Sequence, residues 1–272
     1  MSIVENNNRV GRFTSSEVYN LIKLGRRTMT ADELKKHKKE NPGSQKKTIA
    51  EGFGDAGRSY IQKKYYERKL KRSLDLGKYS QPGIWGLFLE QYVYSHFTGL
   101  QYLIISNETK INPKIPYHAG SADLLVPTEK VSDIKCFEPL KFCQIVECFQ
   151  EKRVELFKEQ FPQEYWQLVS NAMIHQVPKA ESIIYMPTID DLKEIKEMAY
   201  NYQGEDMWKY RFIYENENYQ LPFVPEDSEY DSFNTFEFIV PEEDIRQLDA
   251  RLKLANLEIE KKMGNQIQKS AL

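Results

Sequence analysis

The stretch that decides the fold is "GSADLLVPTEKVSDIKC", residues 120–136, in which two short apolar runs each carry an aspartate. The runs "ADLLVP" and "KVSDIKC" predict two strands, and "VPTEKV" predicts the turn between them. Alternation along the second strand places Asp133 and Lys135 on the same face. Asp123 begins the antiparallel partner strand, so the hairpin brings a second carboxylate beside Asp133. We therefore expect a hairpin that presents two carboxylates and a lysine together.

The chemistry of this hairpin depends on how the two carboxylates are neutralised. Two carboxylates in a poorly solvated cleft repel each other unless a cation neutralises them, and such hard oxygen ligands suit Mg²⁺ or Mn²⁺. Lys135 would supply a donor and a positive charge for a metal-polarised water or a phosphate oxygen. An ordinary surface hairpin with a salt bridge accounts for the short pattern equally well.

Two polar residues in apolar helices extend this pattern. Glu90 lies in "IWGLFLEQYVYSHF", where a carboxylate is costly unless it is paired or bound to a metal ion. Gln167 lies in "YWQLVSNAMI", where its amide can orient an attacking water or a phosphate. The alternatives are an exposed helix face for Glu90 and a structural, hydrogen-bonded role for Gln167.

Composition indicates the class of protein. The chain has 272 residues, of which 40% are apolar, enough for a packed core. The sequence does not begin with a basic-then-apolar signal, and no apolar run approaches the ~18 residues of a membrane span. Cys136, Cys143 and Cys148 lack the spacing of a disulfide framework or a zinc site. We expect a cytoplasmic, mixed α/β protein of one domain.

The formal charge of −2 conceals a strong segregation of charge along the chain. Residues 23–72 contain 16 Lys and Arg against 6 Asp and Glu, so the remainder is acidic. A basic block in an otherwise acidic protein is expected where a polyanion is bound. A solvated surface segment is the alternative, and "KKHKKENPGSQKK", residues 35–47, has the composition of an exposed loop.

The predicted order of elements is three helices, then strands, then alternating helices and strands. Thr14 and Glu17 stand in capping-box spacing at the start of the first helix. Helices are predicted at 14–27, 57–76, 83–99 (closed by Gly99), 138–157, 162–175, 189–202 and 241–263. Besides the hairpin, strands are predicted at "LQYLIIS", "SIIYMP", "WKYRFIY" and "NTFEFIV".

Four segments, taken together and in order, resemble a known family. They are "RVGRFTSSEVYNLI", "WGLFLEQY", "GSADLLV" with "SDIKC", and "EYWQLVSNAMI", which are distributed over most of the range 9–176. The chain resembles the PD-(D/E)XK nucleases, and within them the phage lambda exonuclease-like (YqaJ-type) recombination nucleases. The resemblance implies an α/β (α+β) restriction-endonuclease-like core, a central mixed sheet flanked by helices.

The resemblance also implies an activity and a site. It implies a Mg²⁺-dependent exonuclease, with Mn²⁺ as a substitute, that degrades one strand of linear duplex DNA from the 5′ end in phage-type recombination. By resemblance, Asp123, Asp133 and the carbonyl of Ile134 ligate the metal ion, Glu90 binds it directly or through water, and Lys135 and Gln167 position the nucleophilic water. By resemblance, Arg9, Ser16 and Arg26 would hold the 5′ phosphate. Independently of the resemblance, Lys63, Lys64 and Arg68 of the basic block are expected to contact DNA.

The sequence departs from the family pattern in two metal-site positions and in two longer segments. Asp133 stands where glutamate is commoner, and Ala122 where the motif has proline. The expected single nuclease domain has a basic helical insertion at about 28–80 and a C-terminal strand–helix extension at about 205–272. The insertion and residues 205–240 have no close counterpart in the family and bear on whether its ring-shaped trimer forms. Partners implied are DNA ends and a single-strand annealing protein. The alternatives are a structure-specific or nicking endonuclease and a decayed DNA-binding or assembly protein.

Overall fold

The computed structural model describes residues 8–75, 80–97, 102–105, 108–204 and 206–270, with side chains except at 97 and 265–270. The strands among these residues are β1 (Phe13–Thr14), β2 (Leu24–Thr28), β3 (Thr48–Phe53), β4 (Leu103–Ile104), β5 (Lys110–Asn112), β6 (Ile115–Gly120), β7 (Leu124–Val126), β8 (Lys130–Lys135), β9 (Lys179–Tyr185) and β10 (Phe233–Ile239). The α-helices are α1 (Tyr19–Ile22), α2 (Ala31–Glu40), α3 (Asp55–Leu70), α4 (Gln81–Phe97), α5 (Pro139–Gln150), α6 (Val154–Gln160), α7 (Pro162–His175), α8 (Ile189–Tyr200), α9 (Arg211–Glu215) and α10 (Glu242–Ser270).

A five-stranded mixed sheet forms the centre, in the order β10-β9-β8-β7-β4. β8 and β9 pair in parallel, and the other neighbours pair in an antiparallel way. Alternate residues of β8 enter different apolar clusters: Val131 packs with α5, α7 and α10, whereas Ile134 packs with α4 and α8. The sheet is therefore covered by helices on both faces, as the family resemblance implied.

Smaller sheets hold the N-terminal part against this centre. β1 pairs in parallel with β6, which also pairs with β5, and β2 pairs with β3 as a separate hairpin. The C-terminal region also belongs to the central sheet and its core. β10 pairs with β9 along its length. α10 buries Leu248, Leu252 and Ile259 in the apolar cluster that contains Val131. No helix among the described residues combines the length and apolar character needed to cross a bilayer.

Most predicted elements are confirmed, with shifted ends. The hairpin strands, the helix at 162–175 and the strand at "NTFEFIV" lie at or within a residue or two of their expected positions. The predicted helix at 138–157 is divided into α5 and α6, and the strand at "LQYLIIS" shortens to β4. Gly99 and part of "LQYLIIS" lie outside the described residues.

Three local predictions are wrong. The segment "WKYRFIY" is helical, with a 3-10 turn at Met207–Tyr210 followed by α9, because Tyr210 and Ile213 are buried at a spacing of three. The predicted loop at 35–47 begins inside α2, whose capping box joins Thr30 and Glu33. The first predicted helix is reduced to a 3-10 turn at Ser15–Glu17 and α1, after which the chain enters β2.

The capping box predicted at Thr14 is also absent. Thr14 belongs to β1, and both its N–H and its hydroxyl contact the Tyr60 hydroxyl, at 2.7 and 3.3 Å. The 3-10 turn that follows has no side-chain cap. Long-range pairing with β6 and α3 therefore determines this segment in place of local helix capping.

Candidate active site

The β7–β8 hairpin brings the two aspartates together as expected. Leu124 pairs with Ser132 and Val126 with Lys130, around a turn in which Thr128 has a φ of 64°. Asp123 precedes β7 and is buried, and its Oδ2 accepts a hydrogen bond from the Ile134 N–H at 2.6 Å. This contact fixes the first carboxylate against the backbone of the second strand.

Asp133 is the centre of the polar cluster. Its Oδ1 accepts a hydrogen bond from Gln167 Nε2 at 2.9 Å, and its Oδ2 forms an ion pair with Lys135 Nζ at 2.5 Å. Lys135 Nζ also donates to the Ile134 carbonyl at 3.3 Å. Asp133 and Lys135 therefore share a face of β8, and α7 supplies Gln167 from the helical layer above it.

Glu90 reaches the same cluster from the opposite helical layer. Gly86, one turn earlier on α4, lies so close to the end of β8 that an added Cβ would be 3.3 Å from the Cys136 carbonyl oxygen. The close approach brings the Glu90 carboxylate within electrostatic reach of Asp133 and Lys135. The spacing W-G-x-x-x-E thus has a physical basis, because a small residue permits the contact and the acid follows on the same helix face.

The electrostatics of the cluster show that its negative charge is poorly solvated. Burial raises the pKa of Glu90 to about 7; Lys135 opposes this shift and Asp133 adds to it. Burial and the Asp133 carboxylate raise the pKa of Asp123 well above its usual range. Burial alone would lower the pKa of Lys135, but Asp133, Asp123 and Glu90 outweigh it and raise that pKa. Lys135 is therefore a stable cation that only partly offsets three acids.

The donor atoms suit a hard divalent cation. Three carboxylates and the Ile134 carbonyl are oxygen ligands of the kind that Mg²⁺ and Mn²⁺ prefer, and the raised pKa values mark buried negative charge that a cation would relieve. Within the described ranges, no three His, Cys, Asp or Glu side chains already converge as a metal-binding group. Here Lys135 Nζ, Gln167 and the Ile134 N–H engage the aspartate oxygens instead.

The residues expected to hold the DNA end lie on the surface, in two places. Arg9 and Ser16 are exposed in the N-terminal segment, residues 9–17, and Arg26 is exposed on β2. Ser16 lies in a 3-10 turn of three residues without a side-chain cap, so no capped α-helix begins there to attract an anion. Any contribution of Ser16 must come from its hydroxyl and its own backbone.

The basic helix α3 differs from expectation. Lys64 is 2% exposed and forms an ion pair with Glu67 at 2.9 Å, so the prediction that it contacts DNA is wrong. Lys63 is ion-paired with Glu17 and Asp75. Arg68 is half-buried and donates to the Gly11 carbonyl at 2.8 Å. The inner face of α3 therefore supports the N-terminal segment.

A cluster of exposed positive charge lies on α2, part of which was predicted as loop. None of its residues is buried, and its four lysines form no ion pair with a described residue. These α2 lysines are Lys35, Lys36, Lys38 and Lys39. The signal that was available is T-A-D-E at residues 30–33, a capping box directly before them.

No protein-family model and no curated protein sequence matches the chain. The alkaline exonuclease LHK-Exo from Laribacter hongkongensis matches with a TM-score of 0.57 and 12% identity, over 98% of this chain and 96% of that one. LHK-Exo in complex with dAMP gives a TM-score of 0.57, 11% identity, and 98% and 97% coverage.

A phage-related exonuclease from Haemophilus somnus 129PT gives a TM-score of 0.49 and 13% identity, over 94% of this chain and 96% of that one. The two LHK-Exo matches span nearly the whole of both chains. The predicted fold class is confirmed: this chain has the fold of the alkaline exonuclease LHK-Exo.

Proposed function

We propose that the protein is a metal-dependent exonuclease that degrades one strand of linear duplex DNA. The observation that carries the proposal is the polar cluster of Glu90, Asp123, Asp133, Lys135 and Gln167, formed by elements from both sides of the sheet at the end of the β7–β8 hairpin. The shared fold with an alkaline exonuclease supports it. A purely structural cluster would not require three acids around one lysine in a partly buried position.

We propose that Glu90, Asp123, Asp133 and the Ile134 carbonyl hold Mg²⁺, or Mn²⁺ as a substitute. The chemistry that such an ion supplies is polarisation of the scissile phosphate and of a bound water. Ca²⁺ should permit DNA binding without turnover, and equal turnover with Ca²⁺ would contradict this metal chemistry.

Lys135 and Gln167 have distinct proposed roles. Because its neighbours raise the pKa of Lys135, this residue stays protonated and can donate to a phosphate oxygen or to the nucleophilic water, but it is unsuited to act as a base. Gln167 donates its amide to Asp133 and so holds the orientation of that carboxylate, while its carbonyl oxygen can accept a hydrogen bond from the water.

The direct test is nucleotide release from linear duplex DNA, with and without Mg²⁺. The wild type should release nucleotides only with the metal ion, and Asp133→Ala should release none. Covalently closed circular DNA distinguishes the enzymatic alternative, because a nicking endonuclease attacks it and an exonuclease does not. A folded wild type without metal-dependent hydrolysis of either substrate would favour a decayed DNA-binding or assembly protein and refute the proposal.

We further propose 5′ to 3′ polarity, with the 5′ phosphate near Arg9, Ser16 and Arg26. The support is that all three are exposed and that two arginines offer charge-assisted contacts to phosphate. Linear duplex with 5′-phosphate ends should then be degraded faster than duplex with 5′-hydroxyl ends, and Arg26→Ala should remove much of that difference. Equal slowing of both substrates by Arg26→Ala would contradict the phosphate contact, and end-labelling of each strand tests polarity.

The remaining proposals concern the setting of the reaction. A 5′ to 3′ exonuclease leaves 3′ single-stranded tails, which suit a single-strand annealing protein in phage-type recombination. A trimer is the assembly that the family resemblance favours, and the cytoplasm is the compartment where these partners meet. Sedimentation with and without duplex DNA would test the trimer.

A further inference from the structure

A buried chain of hydrogen bonds links three distant parts of the sequence. Asn112 Nδ2 lies 3.1 Å from His118 Nδ1, His118 Nε2 lies 2.7 Å from Ser170 Oγ, and Ser170 donates to Ser15 Oγ at 2.8 Å. All four side chains are at most 3% exposed. The last bond joins residues 155 positions apart.

The direction of this chain is determined by its first member. The Asn112 amide nitrogen can only donate, so His118 Nδ1 accepts and His118 Nε2 carries the hydrogen that Ser170 accepts. Burial lowers the pKa of His118 to about 3, so the ring remains neutral. His118 and Ser170 therefore each accept one hydrogen bond and donate one, and Ser15 accepts the last. None of these side chains is charged.

The surrounding backbone is shaped for the same contact. β1 runs beside β6 with Phe13 opposite His118, which places Ser15 against Gly120. A Cβ at Gly120 would lie 2.1 Å from Ser15 Oγ, so only glycine allows this approach. Gly120 is also the first residue of the stretch that leads into Asp123.

The last two members of this series of hydrogen bonds, Ser170 and Ser15, adjoin the two halves of the proposed site. Ser170 lies one helical turn after Gln167 on α7, and Gln167 bonds Asp133. Ser15 directly precedes Ser16 in the N-terminal segment. The bonds thus join the helix that orients the metal-site carboxylate to the segment proposed to meet the DNA end.

We propose that His118, Ser170 and Ser15 are positioning residues that hold the N-terminal segment at a fixed distance from the cleavage centre and so set the length of product released at each cut. The inference rests on the proposed exonuclease function. The directional hydrogen bond from Ser170 to Ser15 prevents the 3-10 turn at Ser15–Glu17 from sliding along α7. Apolar packing alone would permit such sliding. The spacing between a held DNA end and the cut phosphate then becomes a property of this network.

The test compares product length and end preference in the full-length protein. The substrate is a linear duplex with a radiolabelled 5′ phosphate, read on a gel, beside a 5′-hydroxyl duplex. Ser170→Ala and His118→Leu should each broaden a single product length into a mixture. They should also lower the 5′-phosphate preference about fivefold, the factor that corresponds to the net worth of one buried hydrogen bond.

Two further variants separate positioning from stability. His118→Gln retains an amide donor toward Ser170 and should restore the wild-type product length. Tyr165→Phe removes a buried hydroxyl from the same helix, one that bonds Asp244 at 2.5 Å on the side of α10, and should leave product length unchanged. Ser170→Ala deletes a single atom, so it serves if His118→Leu does not fold.

Each outcome decides the inference. Wild-type product length and end preference in Ser170→Ala, at any overall rate, would overturn it, as would an equal change in Tyr165→Phe. If the wild type shows no preference for 5′-phosphate ends, the proposed 5′-phosphate contact is refuted. The product length of the variants then tests the positioning role by itself. A wild type that releases no nucleotides from linear DNA would refute the proposed function itself, and the inference with it.

Discussion

Replacing Glu90 by glutamine should make the metal-free protein more stable at alkaline pH. Burial raises the pKa of Glu90 from 4.5 to about 7, with Lys135 opposing and Asp133 adding to the shift. Between these pH values the folded protein retains a proton that the unfolded chain has released. The free energy of unfolding therefore contains a contribution that is fully present below pH 4.5 and is lost as the pH rises through about 7.

The size of this effect follows from the shift itself. The displacement of the pKa from 4.5 to about 7 corresponds to a contribution on the order of 3 kcal/mol. Glutamine has nearly the same shape and no charge, so Glu90→Gln removes the titration. The stability of the variant relative to the wild type should thus increase by about that amount between pH 4.5 and pH 8.

Urea unfolding at several pH values in EDTA measures the difference. Glu197→Gln, an exposed position on α8, is the matched control and should show a flat difference across the same range. Saturating Mg²⁺ should stabilise the wild type at pH 8, by ~2.7 kcal/mol at a concentration of 100 Kd. A difference between wild type and Glu90→Gln that does not change with pH would refute the buried, protonated acid.

Three further predictions concern the metal cluster, the α2 lysines and His118. Asp133→Ala should abolish cleavage with an intact circular dichroism spectrum, since removing one carboxylate relieves repulsion in the metal-free site, and residual cleavage would contradict the assignment. Lys135→Ala should also abolish cleavage, since it removes the cation beside Asp133. Replacing all four α2 lysines by glutamine should weaken binding to duplexes with and without free ends alike. The substitution should also reduce the slope of the logarithm of the binding constant against the logarithm of the salt concentration by roughly 0.9 per lost phosphate contact. An unchanged slope would show that α2 does not contact DNA. Burial lowers the pKa of His118 from 6.5 to about 3, so below pH 6.5 the unfolded chain binds a proton that the folded protein does not. The free energy of unfolding of the wild type should therefore fall by ~5 kcal/mol as the pH drops from 6.5 to 3, and acid unfolding of His118→Gln should lack this loss.

The elements that depend on residues close together in the chain could be predicted from the sequence. Alternating residues and a turn predicted the β7–β8 hairpin, and helical periodicity predicted α7 with Gln167 on it. Prediction from the sequence failed at "WKYRFIY", where β-type residues are buried at helical spacing, and at Thr14, where pairing with β6 replaced capping. In both cases tertiary contacts outweighed the local preference.

The sequence by itself determined the fold class, the paired aspartates and Lys135, because strand alternation and turn chemistry depend on neighbours in the chain. Only the tertiary structure decided that Gly86 brings Glu90 to the cluster, that Lys64 is buried against Glu67, and that His118 joins Ser170 to Ser15. Each of these depends on how closely separate layers pack, and the spacing of residues along the chain carries no information about that distance.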